Sequence, residues 1–239
     1  MMYQPQIDKS GNLHGVEALV RWENEKLGFV PPDEFIKIAE RTGIMTSLGD
    51  YIIKTSIEEI KNIQKTTNQK FELSINISVK QFMEIDFFSS LFRLIDNANF
   101  DRLRLTLEVT ENVFIEDIKY IIDLLKKLKE NGIKISLDDF GTGYSSLSLL
   151  KNLPIDELKI DKSFVDDILI DEVSRNMIES IISIGKKFNL KIVAEGIETL
   201  EQKELLENYG CNIFQGYYYS KPLKKNDLLN FIEKHKIME

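Results

Sequence analysis

The sequence predicts an α/β fold in which strand and helix alternate along the chain. Short β-branched apolar runs recur along the 239 residues at a spacing of about 30, each followed by a stretch of helical periodicity. Within the runs, apolar and polar residues alternate with a period of two, which gives each strand one apolar and one polar face. The spacing suits a closed (β/α)8 barrel and an open doubly wound sheet alike. The alternation favours the barrel: where the apolar face packs on helices, the polar face points into a barrel interior.

The first strand is expected at Tyr3–Ile7 and the second at Gly15–Trp22. In Phe71–Ser78, Phe71, Leu73, Ile75 and Ile77 share one face, and Glu72, Ser74, Asn76 and Ser78 the other. In Arg104–Thr110, Leu105, Leu107 and Val109 oppose Arg104, Thr106, Glu108 and Thr110. In Ile133–Asp138, Ile133, Ile135 and Leu137 oppose Lys134, Ser136 and Asp138. The last three strands are expected at Glu157–Asp161, Leu190–Glu195 and Cys211–Gln215. Amphipathic helices are expected over Ile118–Asn131, with Ile118, Ile121, Ile122, Leu125 and Leu128 on one face, and over Ser174–Phe188, Thr199–Tyr209 and Lys225–Lys234. Gly132 and Gly210 stand where helix C-termini favour a left-handed residue.

Composition narrows the function. Apolar residues make up 43% and charged residues 29%, with 12 Gly and 5 Pro, which excludes a disordered or collagen-like chain. No apolar stretch approaches the ~20 residues of a membrane span, and no signal peptide follows Met1. One cysteine, Cys211, forms no disulfide framework and fits a reducing, cytoplasmic setting. Lys+Arg 31 against Asp+Glu 39 gives a net charge of −8, which argues against a nucleic acid polymer as partner. An anionic small substrate stays open, because bound metal ions can invert local charge.

By the same parity Glu17, Lys159 and Glu195 lie opposite their strands' most apolar faces, with Gln215 assigned there too. Polar groups thus arrive at or near the C-terminal ends of successive strands, where barrel enzymes assemble their active sites. Glu17, Glu108, Asp138, Asp139 and Glu195 are expected to converge with Asn76, with Lys159 and Arg21 as the local cations. Two cations cannot neutralise five carboxylates, so bound metal is the economical compensation. Oxygen donors suit Mg²⁺ or Mn²⁺ rather than zinc, and His14 and His235 are not placed among them. Adjacent carboxylates such as Asp138 and Asp139 can bridge two ions ~3.5–4 Å apart, the arrangement that hydrolyses phosphodiesters. The residues by themselves reach a metal-dependent barrel enzyme acting on phosphate esters.

The run Gly15-Val16-Glu17-Ala18-Leu19-Val20-Arg21-Trp22 is similar to the signature of EAL domains, the phosphodiesterases of the bacterial messenger cyclic di-GMP. The resemblance continues through Pro31-Pro32-Asp33-Glu34-Phe35-Ile36, Ser74-Ile75-Asn76-Ile77-Ser78 and Leu107-Glu108-Val109-Thr110-Glu111. It runs on through Asp138-Asp139-Phe140-Gly141-Thr142-Gly143-Tyr144-Ser145-Ser146, Leu158-Lys159-Ile160-Asp161, Ala194-Glu195-Gly196-Ile197-Glu198 and Gln215-Gly216-Tyr217. These motifs stand in family order over nearly the whole chain.

The resemblance implies a modified TIM (β/α)8 barrel whose first strand runs antiparallel to the rest, read here as one domain over residues 1–239. It implies hydrolysis of cyclic di-GMP to linear pGpG by water activated at two Mg²⁺ or Mn²⁺ ions, with Ca²⁺ inhibitory. Glu17, Asn76, Glu108 and Asp138 match the first metal site, with Asp138 shared, and Asp139 and Glu195 match the second. Glu195 also matches the general base discussed for a single ion, and Lys159 the lysine at the attacking water. Glu111 matches the anchor of the Asp138–Ser146 loop, Glu198 a supporting residue, and Gln215 a contact to the water or metal network. Gln4, Arg21 and Asp161 match substrate contacts. Family members carry a helix before the Tyr-Gln-Pro strand, so an N-terminal helix is expected to be missing and regulatory domains are expected in a longer parent chain. A homodimer is among the expected assemblies, and no membrane contact is expected of this segment. The competing expectation is a receptor that binds cyclic di-GMP without cleaving it; such receptors generally lack ligands that this chain keeps.

Single residues also have duller readings. Asn76-Ile77-Ser78 matches a glycosylation acceptor by accident, given no secretory signal. Cys211 reads as a small apolar strand residue. His14 and His235 read as solvated loop and terminal residues, and the Lys-rich stretch Leu124–Asn131 as a solvated helix face.

Overall fold

The computed structural model describes residues 1–111, 113, 118–141 and 150–236, the last two without their side chains. The Thr142–Ser146 part of the expected loop and the side chain of His235 lie outside the described residues. The strands are β1 (Met2–Asp8), β2 (Leu13–Leu19), β3 (Trp22–Asn24), β4 (Gly28–Val30), β5 (Glu72–Asn76), β6 (Leu105–Thr110), β7 (Lys134–Phe140), β8 (Glu157–Ile160), β9 (Lys191–Ala194) and β10 (Ile213–Gln215). Eight of them close a barrel in the order β1-β10-β9-β8-β7-β6-β5-β2.

β1 is antiparallel to both of its neighbours, and every other neighbouring pair in the barrel is parallel. The connection from β1 to β2 explains the exception. Asp8 Oδ1 accepts from the backbone N–H groups of Ser10 and Asn12, closing a tight turn that can only return the chain antiparallel. Parallel neighbours need crossovers, which the helices supply.

The described helices are α1 (Pro32–Thr42), α2 (Met45–Thr67), α3 (Val79–Phe82), α4 (Phe87–Ala98), α5 (Ile118–Glu130), α6 (Lys162–Asp166), α7 (Glu172–Lys187), α8 (Leu200–Tyr209) and α9 (Lys225–Lys236). Their apolar faces meet the outward faces of the strands in one core that includes Ile53, Ile57 and Ile60 of α2 against Leu73 and Ile75 of β5. Each such fully buried aliphatic side chain contributes roughly 1.5–3 kcal/mol. The expected face of α5 is buried at Ile121, Leu125 and Leu128, whereas Ile118 is exposed. Asp171 caps α7 by accepting from the Ser174 N–H, and Thr199 and Gln202 form a capping box on α8.

The structure corrects two expectations here. The run Gly15–Trp22 is not one strand: β2 ends at Leu19, and Trp22 opens a separate hairpin with β4 outside the barrel. Asn24 Oδ1 accepts from the N–H groups of Lys26 and Leu27 and turns that hairpin. His14 is no solvated loop residue; it lies in β2 and pairs with Glu72 at 3.6 Å. No helix among the described residues is long and apolar enough to cross a membrane.

Candidate active site

Parallel strands all deliver their C-terminal ends to one mouth of the barrel, and the inward polar faces meet there. Lys159 of β8 is 1% exposed and stands at the centre. Its Nζ donates to Glu108 Oε2 at 2.6 Å and to Asp138 Oδ2 at 3.3 Å. It pairs with Glu195 Oε1 at 2.7 Å and lies 3.8 Å from Glu17 Oε2. Four carboxylates from four elements therefore face one ammonium. Asn76 at the end of β5 donates from Nδ2 to Glu17 Oε1 at 2.7 Å, and Gln215 of β10 donates from Nε2 to Glu17 Oε2 at 2.5 Å.

The bulge in β7 accounts for the paired aspartates. β7 and β8 pair in register through Leu137 and Leu158 and resume at Phe140 and Ile160, so Asp138 and Asp139 together oppose the single residue Lys159. Asp139 takes a left-handed backbone, φ 56°, a conformation that short polar side chains tolerate. A bulge re-aims side chains at a strand end, and here it presents two consecutive carboxylates toward the same mouth.

The electrostatics follow from this crowding. Burial pushes Glu108 well above the ordinary carboxylate range, and the charges of Glu17, Asp138 and Glu195 push the same way against Lys159. Burial first, then Asp138 and Glu17, raises Glu195 to about 8. Asp139 rises to about 6 through burial and the charges of Asp138 and Asp161. Burial alone would lower Lys159, yet Asp138, Glu108, Glu17 and Glu195 together hold it firmly protonated.

These residues fit a hard divalent cation. Glu108 Oε1 is buried with no hydrogen-bond partner, and leaving such an oxygen unpaired is costly. Glu17 takes the Nδ2 of Asn76, which leaves that amide's oxygen as its free donor atom. The donor set is therefore all oxygen, the preference of Mg²⁺ and Mn²⁺. Among the described residues no three acidic or histidine side chains are already arranged around one point as metal ligands; the carboxylates are arranged around Lys159 instead.

A cavity of about 290 Å³ opens above the cluster, lined among others by Gln4, Glu17, Asp138, Lys159, Glu195 and Glu198. Gln215 and Tyr217 line it too. Glu198 is tied to Lys162, which also pairs with Asp166. Glu111 accepts from the Gly141 N–H at 2.9 Å and so holds the first residue beyond β7. Other expected site residues lie apart. Arg21 donates to the Val20 carbonyl and lines a neighbouring cavity of about 580 Å³ with Asn76, Ser78 and Thr110, so among the described residues the central cation of the carboxylate cluster is Lys159, with Lys162 also on the cavity wall. Asp161 caps α6 by accepting from the Ser163 N–H, and its charge is felt at Asp139. Sequence reasoning did not single out Gln6, although it shares the parity of Gln4; it is 1% exposed and bonded to Gln215.

A barrel with one reversed strand and an acidic, oxygen-lined C-terminal mouth has its polar groups where barrel enzymes assemble their active sites. An EAL domain profile matches residues 1–222, and the chain belongs to the EAL domain family. It is 36% identical over 228 residues to the bifunctional diguanylate cyclase/cyclic di-GMP phosphodiesterase MucR of Pseudomonas aeruginosa, covering 95% of this chain and 33% of MucR. It is 35% identical over 222 residues to the cyclic di-GMP phosphodiesterase PdeL of Escherichia coli, covering 93% of this chain and 61% of PdeL. The solved MucR phosphodiesterase in complex with c-di-GMP superposes with a TM-score of 0.91 at 35% identity, covering 95% of this chain and 92% of that one. The chain thus spans about a third of MucR and under two thirds of PdeL.

Proposed function

We infer that this chain hydrolyses cyclic di-GMP to linear pGpG with the help of two divalent cations, Mg²⁺ or Mn²⁺. The observation that carries the reading is the set of four carboxylates around Lys159 at the mouth of a barrel whose relatives include a protein named cyclic di-GMP phosphodiesterase. Glu17, Asn76, Glu108 and Asp138 are the residues assigned to the first ion, and Asp138, Asp139 and Glu195 to the second. Bound there, the ions supply positive charge to the phosphate and make a water more acidic.

The chain's own groups do the rest. Lys159 places an ammonium beside the reacting phosphate, where it opposes the negative charge that develops on oxygen. Glu195, at the edge of the cavity, is held for the second ion; where a single ion is bound, its carboxylate would take the proton of the attacking water. The water oxygen bonds to one phosphorus, the bond from that phosphorus to the 3′ oxygen breaks, and the 3′ oxygen leaves as a hydroxyl by taking a proton from solvent water, so that one water is consumed in all. The product keeps a 5′ phosphate, as pGpG does. Gln4, Glu198 and Tyr217 line the cavity that receives the substrate, while Arg21 and Asp161 contact its outlying parts. Glu111 steadies the backbone at Gly141, next to the paired aspartates.

Substrate competition tests the reading. With Mn²⁺, the chain is expected to cleave cyclic di-GMP and to leave linear dinucleotides and glycerol phosphodiesters intact. Ca²⁺ is expected to support binding while suppressing turnover, because the larger ion tolerates loose coordination and activates water poorly. Tight binding of cyclic di-GMP without cleavage under Mg²⁺ and Mn²⁺ would instead make the chain a receptor.

A further inference from the structure

We propose that Gln6 is a positioning residue for Glu17, acting through the side chain of Gln215; the proposal rests on the reading of Glu17 as a metal ligand. Three buried polar side chains form a line across the barrel interior. Gln6 Nε2 donates to Gln215 Oε1 at 3.0 Å, and Gln215 Nε2 donates to Glu17 Oε2 at 2.5 Å. Their exposures are 1%, 4% and 5%, so the line is buried, with Gln215 and Glu17 meeting the cavity at its one end.

The chemistry permits only one sense for this line. A carboxylate has acceptors alone, so Gln215 must turn its nitrogen to Glu17, which leaves its oxygen toward Gln6. Gln6 supplies the donor that this oxygen needs. In the reversed amide, two oxygens would meet at Glu17 and two donors at Gln6. Glu17 therefore decides which way Gln215 faces, and Gln6, by donating to the oxygen this leaves, holds the Gln215 amide and with it the plane of the Glu17 carboxylate. Asn76 fixes the other oxygen of Glu17 at 2.7 Å.

The backbone is built to hold the amide. Gln6 is in register with Gln215 on one side and with Gly15 on the other. A Cβ at Gly15 would lie 3.0 Å from Gln6 Oε1, so the glycine leaves room for the side chain between the strands. Gln6 does not line the cavity, so it acts on the site only through its neighbour. Groups that orient a metal ligand from behind typically change metal affinity 10–100-fold when removed.

Calorimetric titration of Mn²⁺ into the chain without substrate tests this, on the wild type, Gln6→Leu, Gln215→Leu, the double variant and Glu17→Gln. Gln6→Leu is expected to weaken Mn²⁺ binding by about tenfold or more. The double variant is expected to bind no more weakly than Gln215→Leu alone, because a line already broken at Gln215 cannot transmit the second change. With cyclic di-GMP, kcat is expected to fall while KM holds. Gln6→Met, similar in length but without a donor, is expected to repeat the loss and serves if leucine impairs folding. Wild-type affinity in Gln6→Leu and Gln6→Met, or losses that multiply in the double variant, would overturn the proposal while Glu17→Gln still loses the metal. Wild-type Mn²⁺ binding by Glu17→Gln would overturn the assignment of Glu17 itself, and the role of Gln6 with it.

Discussion

At the N-terminal end of the barrel the buried carboxylate of Glu72 faces three nitrogen groups: Lys134 bonds to it directly, with Lys191 Nζ at 3.4 Å and the His14 ring at 3.6 Å, and Glu157 lies buried in the same region. At the C-terminal end Glu17, Glu108, Asp138 and Glu195 share the single ammonium of Lys159. The two clusters use the same residue types in opposite proportion, and their titration differs accordingly. Burial would raise Glu72, but the hydrogen bonds from His14 and Lys134 outweigh it and hold the group well below the usual range. At the other mouth Glu108, Glu195 and Asp139 are all pushed upward. In the first cluster the protein's own groups satisfy Glu72, whereas the neighbouring Glu157 is pushed upward by its burial. The second sets four carboxylates against one ammonium, the excess that the proposed divalent ions would offset.

The largest effect should come from the residue assigned to both ions. Asp138→Ala is expected to lower turnover by about 10³-fold, measured as product release under saturating Mn²⁺; wild-type turnover would sink the two-ion assignment. Next comes the central cation. Lys159→Met is expected to destabilise the metal-free chain by about 3 kcal/mol in urea unfolding, because the buried Glu17, Glu108 and Asp138 and the half-buried Glu195 lose their partner. Glu108→Gln should do the reverse and raise metal-free stability while lowering activity, and a loss of stability there would blur the contrast between the two ends.

At the N-terminal end, Glu72→Gln is expected to cost about 1–2 kcal/mol, with activity retained. The sign of its pH dependence is fixed by its lowered folded-state value: the stabilisation is full above the ordinary glutamate value of 4.5 and is lost as pH falls below it. Acid unfolding of the wild type should therefore steepen below about pH 4.5, and Glu72→Gln should flatten that limb. The smallest effect is expected from Glu111→Ala, about tenfold in turnover with Mn²⁺ affinity retained, since its contact is with the Gly141 N–H rather than with the cluster.

Much of the candidate site is legible in the sequence because strand parity is local: the alternation in Phe71–Ser78 and Arg104–Thr110 suffices to put Asn76 and Glu108 inside. The reversed first strand followed from the family resemblance, and the short Asp8–Leu13 turn is its physical reason. What the sequence hides are the relations across strands. The bulge that sets Asp138 and Asp139 against Lys159 depends on register. So do the pairing of Gln6 with Gln215 and that of His14 with Glu72. Arg21 misleads for another reason: it follows the end of β2, where the chain leaves the barrel for the hairpin and alternation no longer reports direction.

The most direct test of the central claim is chromatography of cyclic di-GMP incubated with the purified chain, with and without Mg²⁺ or Mn²⁺, beside a Glu17→Ala sample. The unbalanced mouth predicts pGpG from the wild type only when the metal is present, and none from the variant. Product formed in the presence of a chelator, or equally by Glu17→Ala, would contradict the account.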